Sequence, residues 1–201
     1  MTPRAIARLA FVAAAGAELI GAQRRFAARQ ELFAAAQARA HATNRPLVVI
    51  GDPHGGAHTR LLPAYGCGDL TLDLTGCPSC PNGLAVDLDR QSVASVAPDS
   101  AIVYVSCVLE YVGDPQRAWR EILRMAGSPA NVFVVAVQPW TATAALYPGA
   151  RRTVRVEGDR LITAPISTTR KAATLGAVGA LAAVALMPEA PAAPRAKSTR
   201  A

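Results

Sequence analysis

Short apolar runs separated by turn-forming residues fill the middle of the chain, and Ala-rich stretches flank them at both ends. The clearest run contains Ile102, Val103, Val105, Val108 and Leu109. Its β-branched content predicts a buried strand over 101–107. After Gly113, Asp114 is placed to cap a helix, because its carboxylate can accept from the free amides of the first turn. Pro115 follows where a missing N–H costs nothing. Ala118, Trp119, Ile122, Leu123 and Ala126 then share one helical face, and Gly127 can supply a left-handed stop. A further apolar run over 131–137 makes the unit β-α-β.

Upstream, 46–50 predicts the first strand of the domain. The turn Gly51-Asp52-Pro53-His54-Gly55-Gly56 and a short helix over 57–62 follow it. A glycine-rich turn between strand and helix lets backbone approach a ligand, and a helix N-terminus favours polar or anionic groups. Residues 70–74 predict a second strand carrying Asp73 near its end, and 83–88 a third carrying Asp87. Residues 89–100 read as a helix or loop. Downstream, a turn at Pro148-Gly149 precedes two alternating segments, 152–156 and 160–164. These flank Gly158-Asp159 and predict a hairpin.

The flanks predict helices. Residues 5–22 are apolar but carry Arg8 and Glu18, which makes them poor as a spanning segment or a signal peptide. Residues 20–43 continue in strong helix formers, giving one long helix or two that end before Asn44-Arg45-Pro46. This helix either packs on the domain or lies at a membrane surface with its basic residues at the headgroups. Residues 172–187 are apolar or small throughout. A helix apolar on every face needs burial on every face, which favours a membrane-inserted or membrane-lying helix. The organisation is then 1–45 helical, 46–166 the α/β domain, 167–188 an apolar helix and 189–201 a disordered basic tail.

Composition narrows the function. The formal charge is +7, but Arg is scattered and partly terminal, with no basic stripe interleaved by aromatics. Nucleic acid is therefore an unlikely partner. Four cysteines, Cys67, Cys77, Cys80 and Cys107, suit a reducing compartment better than a secreted disulfide scaffold, which points to the cytoplasm with membrane association open. Cys77-Pro78-Ser79-Cys80 with Cys67 could form a redox or zinc site, but the plainer reading is a turn joining two strands, and no metal site is assigned.

The segment Val108-Leu109-Glu110-Tyr111-Val112, Asp114-Pro115, Arg120-Glu121-Ile122 and Arg124 resembles the region after the fourth strand of class I S-adenosylmethionine-dependent methyltransferases of the type 11 group. Tyr111 stands where that family usually has His. The resemblance covers about 46–164. It implies an α/β Rossmann-like doubly wound sheet, mostly parallel, with a C-terminal antiparallel hairpin whose last strand runs against the rest, preceded by a helix shortened here to 141–146. It also implies S-adenosylmethionine as cofactor. Gly51 and Gly55 match glycines of the cofactor loop, Asp73 the ribose acid and Asp87 the adenine acid, while Val108 lies beside the methyl donor. Asp52 is a candidate substitute for the family's first-strand acid, which is Val49 here. Pro53 replaces the loop's middle glycine, removing an N–H and fixing φ. Glu110, Tyr111, Gln138 and Trp140 are expected at strand ends on the ligand side, with Glu110 and Tyr111 as catalytic candidates.

Two functions follow as expectations. One is methyl transfer to a small, lipid-like or membrane-associated molecule. The other is a methyltransferase-fold protein without catalysis, serving as a membrane-associated structural or partner-binding module.

Overall fold

The computed structural model describes residues 2–54, 63–136 and 149–186. The expected helices over 57–62 and 141–146, Gly55, Gln138, Trp140 and the tail lie outside the described residues.

Five strands form one parallel sheet: β1 (Leu47–Ile50), β2 (Leu70–Asp73), β3 (Gly83–Ala85), β4 (Ile102–Ser106) and β5 (Val132–Val135), in the order β3-β2-β1-β4-β5. The order reverses between β1 and β4, where Val48 pairs with Leu70 on one side and Val103 on the other. Strand alternation divides β1 between two cores. Val48 and Ile50 face α2 (Pro115–Ala126), packing among Val103, Val105, Ile122 and Met125. Leu47 and Val49 face the C-terminal half of α1 (Pro3–Thr43), among Phe33, Ala36, Ile102 and Tyr104. Burial on both faces accounts for the continuous apolar runs of the central strands. The fold is α/β and Rossmann-like.

The caps of α2 are those the sequence predicts. Asp114 Oδ1 accepts from the Arg117 amide at 2.9 Å, and Gly127 closes the helix at φ +69°. Glu121 and Arg124 do more than solvate the helix. Glu121 is 8% exposed, accepts from the Val93 amide at 2.7 Å and pairs with Arg124 at 2.8 Å. Arg124 in turn donates to the carbonyls of Val93 and Val96. The pair thus staples the irregular segment 89–100 to α2, so that segment needs no helix of its own.

The hairpin β6 (Arg152–Glu157) and β7 (Arg160–Pro165) forms as expected, with Gly158 at φ +61° at the turn. Its place corrects the family expectation: it is a separate two-stranded sheet and does not extend the parallel one. Its apolar residues Val154 and Leu161 pack into the α2 core. Trp119 Nε1 donates to the Asp159 carbonyl at 2.7 Å, and Gln116 Nε2 to that of Leu161 at 2.9 Å. These bonds dock the hairpin on the helix.

The N-terminal residues form a single helix, ended by Asn44 in the left-handed conformation at φ 49°. Its first half leaves the domain with Ile6, Leu9, Val12, Leu19 and Ile20 exposed. α3 (Thr168–Leu186) packs along it, and Arg8 Nε donates to the Ala185 carbonyl at 3.3 Å, so the two run antiparallel. By length and composition α1 contains an apolar stretch sufficient to cross a membrane, despite its internal charges.

Candidate functional site

A cavity of about 210 Å³ opens at the carboxyl edge of the sheet, at the reversal of strand order. Open α/β sheets bind ligands at this place. Ile50 comes to it from β1, Asp73 and Leu74 from the end of β2, Asp87 from beyond β3, and Val108 and Tyr111 from beyond β4. Of the residues proposed from sequence, Asp73, Asp87, Val108 and Tyr111 therefore share one wall. Leu74, Val86 and Leu88 add apolar surface.

Both carboxylates also hold their own turns. Asp73 Oδ1 accepts from the amide and hydroxyl of Thr75, each at 3.0 Å, and Oδ2 accepts from the Asp52 amide at 3.2 Å. Asp87 Oδ1 accepts from the Asp89 amide, and Oδ2 lies 3.5 Å from Arg90 Nε. A carboxylate has about four acceptor positions, so these bonds leave capacity for a ligand hydroxyl or amino group.

Gly51 and Asp52 support the site from behind. Gly51 takes φ +109°, and a Cβ there would lie 3.0 Å from the Ser106 carbonyl oxygen and 3.2 Å from Val108 Cγ2. Its glycine character lets β1 and the β4 loop close together. Tyr65 packs under the same point, and burial pushes its phenol to about 12. Asp52 Oδ1 accepts from the His54 amide at 2.8 Å. Pro53 is buried, and none of Gly51, Asp52 and Pro53 lines the cavity wall. Glu110 is 1% exposed and also lies off that wall, while its carbonyl accepts from the Arg151 amide at 2.9 Å.

Asp89 and Cys107 are site residues that the sequence did not single out. Asp89 lines the cavity and accepts from the amides of Gly113 and Asp114, at 2.5 and 2.8 Å. Burial opposes its ionisation, but these amides, with Arg151 and Arg152 nearby, hold it below the usual carboxylate range. It clamps the loop after β3 to the start of α2. Gly113 is the one trace in the sequence, since a Cβ there would come 2.9 Å from Asp89 Oδ2. Cys107 ends β4 at φ +53°, a conformation that costs a non-glycine residue on the order of 1 kcal/mol. It also lines the cavity, accepts from Arg29 Nη2 at 3.0 Å, and has its thiol pushed up by burial.

The cysteines correct a sequence expectation. Cys67 and Cys80 form a disulfide, with Cα atoms 5.6 Å apart. The turn after β2 folds back over the segment leading into that strand, so the bonded pair is the distant one and not Cys77-x-x-Cys80. Among the described residues, no group of three or more His, Cys, Asp or Glu side chains is arranged to hold a metal ion.

Comparisons with protein families, curated proteins and solved structures find no match to this chain.

Proposed function

We propose that the chain is an S-adenosylmethionine-dependent methyltransferase acting on a small or membrane-associated molecule. The observation that carries this reading is that Asp73 and Asp87, at the tips of the adjacent strands β2 and β3, border one cavity at the carboxyl edge of a Rossmann-like sheet. These residues suit a nucleoside. Asp73 would accept from ribose hydroxyls and Asp87 from the adenine amino group, with Leu74, Val86, Leu88 and Val108 as apolar contacts. The cavity is smaller than the roughly 300–1,000 Å³ of typical small-molecule sites, which suits one moiety of the cofactor better than all of it. Bound S-adenosylmethionine would supply an electrophilic sulfonium methyl. The protein's share is orientation of the acceptor, with Tyr111 on the wall as the group that could hold or move an acceptor proton. The exposed apolar side chains of α1 and α3 would keep the domain beside a membrane-borne acceptor.

A second reading, a methyltransferase-fold protein without catalysis, is favoured by one observation. The loop after β1 packs Pro53 inward and sends none of 51–53 to the cavity wall. Calorimetric titration with S-adenosylmethionine and its demethylated product separates the two. Saturable heat supports the enzyme. Absence of both heat and thermal protection at millimolar ligand overturns it.

A further inference from the structure

Cys77 carries a buried free thiol whose Sγ lies 2.8 Å from Cys80 Sγ, itself bonded to Cys67. Three sulfur atoms are thus gathered where one can attack the bond between the other two. Among the described residues, the polar groups facing Cys77 Sγ include Asp52 Oδ1 at 3.2 Å, Ser79 Oγ at 3.4 Å, the Cys80 sulfur and the Ser79 backbone amide. Cys80 is as enclosed as Cys77, at 7% and 3% exposure, whereas Cys67 is half-buried. Cys67 borders a wide groove of about 810 Å³ between the C-terminal end of α1 and the segment leading into β2, together with His41, Arg45 and Asp69. One end of the disulfide therefore meets an interior thiol and the other meets solvent.

We propose that Cys67, Cys77 and Cys80 form a thiol–disulfide exchange centre, in which the buried Cys77 displaces Cys67 from Cys80 and delivers a free thiol to the groove. Asp52 Oδ1 takes the proton from Cys77 as its sulfur attacks Cys80 Sγ in a thiol–disulfide exchange. The Cys77–Cys80 bond forms, the Cys67–Cys80 bond breaks, and Cys67 leaves as a thiolate that recovers the proton from solvent or Asp52. The step conserves electrons and needs no outside oxidant. The Cys80 amide already donates to the Cys77 carbonyl at 3.1 Å, so the turn holds the new pair in register. The released Cys67 is the group that an external disulfide or thiol-reactive molecule would meet. Exchange also removes the thiol hydrogen from Asp52, whose amide is bonded to the cavity acid Asp73. The centre stands independently of the methyl-transfer reading.

The test is a labelling time course on the full chain, purified without reductant. The protein is treated with N-ethylmaleimide at mildly alkaline pH and quenched in acid. It is then reduced, relabelled with a heavy maleimide and read by tandem mass spectrometry. Exchange predicts that the first label accumulates on Cys67, although that residue begins in the disulfide, while Cys80 carries only the second. The first label confined to Cys77, or absent from all three, overturns the proposal. In Cys77→Ser, labelling of Cys67 should fall at least tenfold; labelling at the unaltered rate overturns it. Asp52→Asn should slow Cys67 labelling severalfold. In Cys67→Ser, oxidised glutathione should join Cys77 to Cys80, and two thiols left free there would overturn the proposal as well. None of these readouts involves S-adenosylmethionine, so they fail or succeed apart from the methyl-transfer reading.

Discussion

The amide of Asp52 donates to Oδ2 of Asp73 at 3.2 Å, joining the loop after β1 to the tip of β2. Through this bond a residue off the cavity wall sets the position of one on it. The same Asp52 accepts from the Cys77 thiol, so the strand-end carboxylate and the cysteine cluster share one support.

Asp73→Asn tests the nucleoside reading. Asn keeps an Oδ1 acceptor for Thr75, but its Nδ2 cannot accept from the Asp52 amide, and it removes the charge offered to ribose hydroxyls. Losing a charge-assisted hydrogen bond of about 1.5–3 kcal/mol weakens S-adenosylmethionine binding about 10- to 100-fold, with the far-ultraviolet circular dichroism unchanged. Calorimetry measures the first and spectroscopy the second. Unchanged affinity removes Asp73 from the binding site.

Gly51→Ala should destabilise the domain by about 1–3 kcal/mol, through backbone strain at φ +109° and the 3.0 Å approach to the Ser106 oxygen. Thermal unfolding reports this as a fall of roughly 2–4 °C in Tm per kcal/mol. Gly158→Ala, at φ +61° with nothing within 4 Å of the added Cβ, should cost less.

Glu121 contributes to acid stability. The hydrogen bond from Arg124 is the leading cause that holds its carboxyl below the ordinary 4.5. The unfolded chain therefore binds this proton more readily than the folded one. The stabilisation is complete above 4.5 and is lost as pH falls through the lower folded value. Glu121→Gln should cost about 1–2 kcal/mol at neutral pH, since Arg124 loses its ion-pair partner but is partly exposed and keeps the Val93 and Val96 carbonyls. It should also flatten the acid limb of a denaturation-versus-pH curve. An acid limb as steep as that of the parent protein would count against the assignment.

The helices α1 and α3 bear on localisation. The full chain should co-float with neutral phosphatidylcholine vesicles, because Ile6, Leu9, Val12, Leu19 and Ile20 give α1 an exposed apolar surface beside the exposed Arg8 and Arg24. Leu9→Glu combined with Val12→Glu, at positions 64% and 66% exposed, should abolish flotation without lowering the Tm. Flotation that needs anionic lipid and disappears in salt would instead assign the contact to the basic residues.

Much of the site's frame could be read along the chain. Asp114, Pro115 and Gly127 mark the bounds of α2 because capping is settled within a few residues. The apolar runs mark the central strands, and strand-end position puts Asp73 and Asp87 on the ligand side. The hairpin was readable from its alternation, but its docking was not. That depends on Trp119 and Gln116 reaching carbonyls some forty residues away. Glu110 read as ligand-facing in a family pattern, whereas its burial depends on how the loop after β4 turns at Cys107.

Periodicity, capping and turn chemistry in the chain itself thus specify the strands, α2, the hairpin and the apolar flanking helices, because each signal acts over one or two turns of backbone. The Asp89 clamp, the Glu121–Arg124 staple, the Cys67–Cys80 bond and the shared cavity are set by the folded arrangement alone. Each joins groups distant in sequence, and their meeting depends on strand order and on the path of irregular loops, which no local pattern encodes.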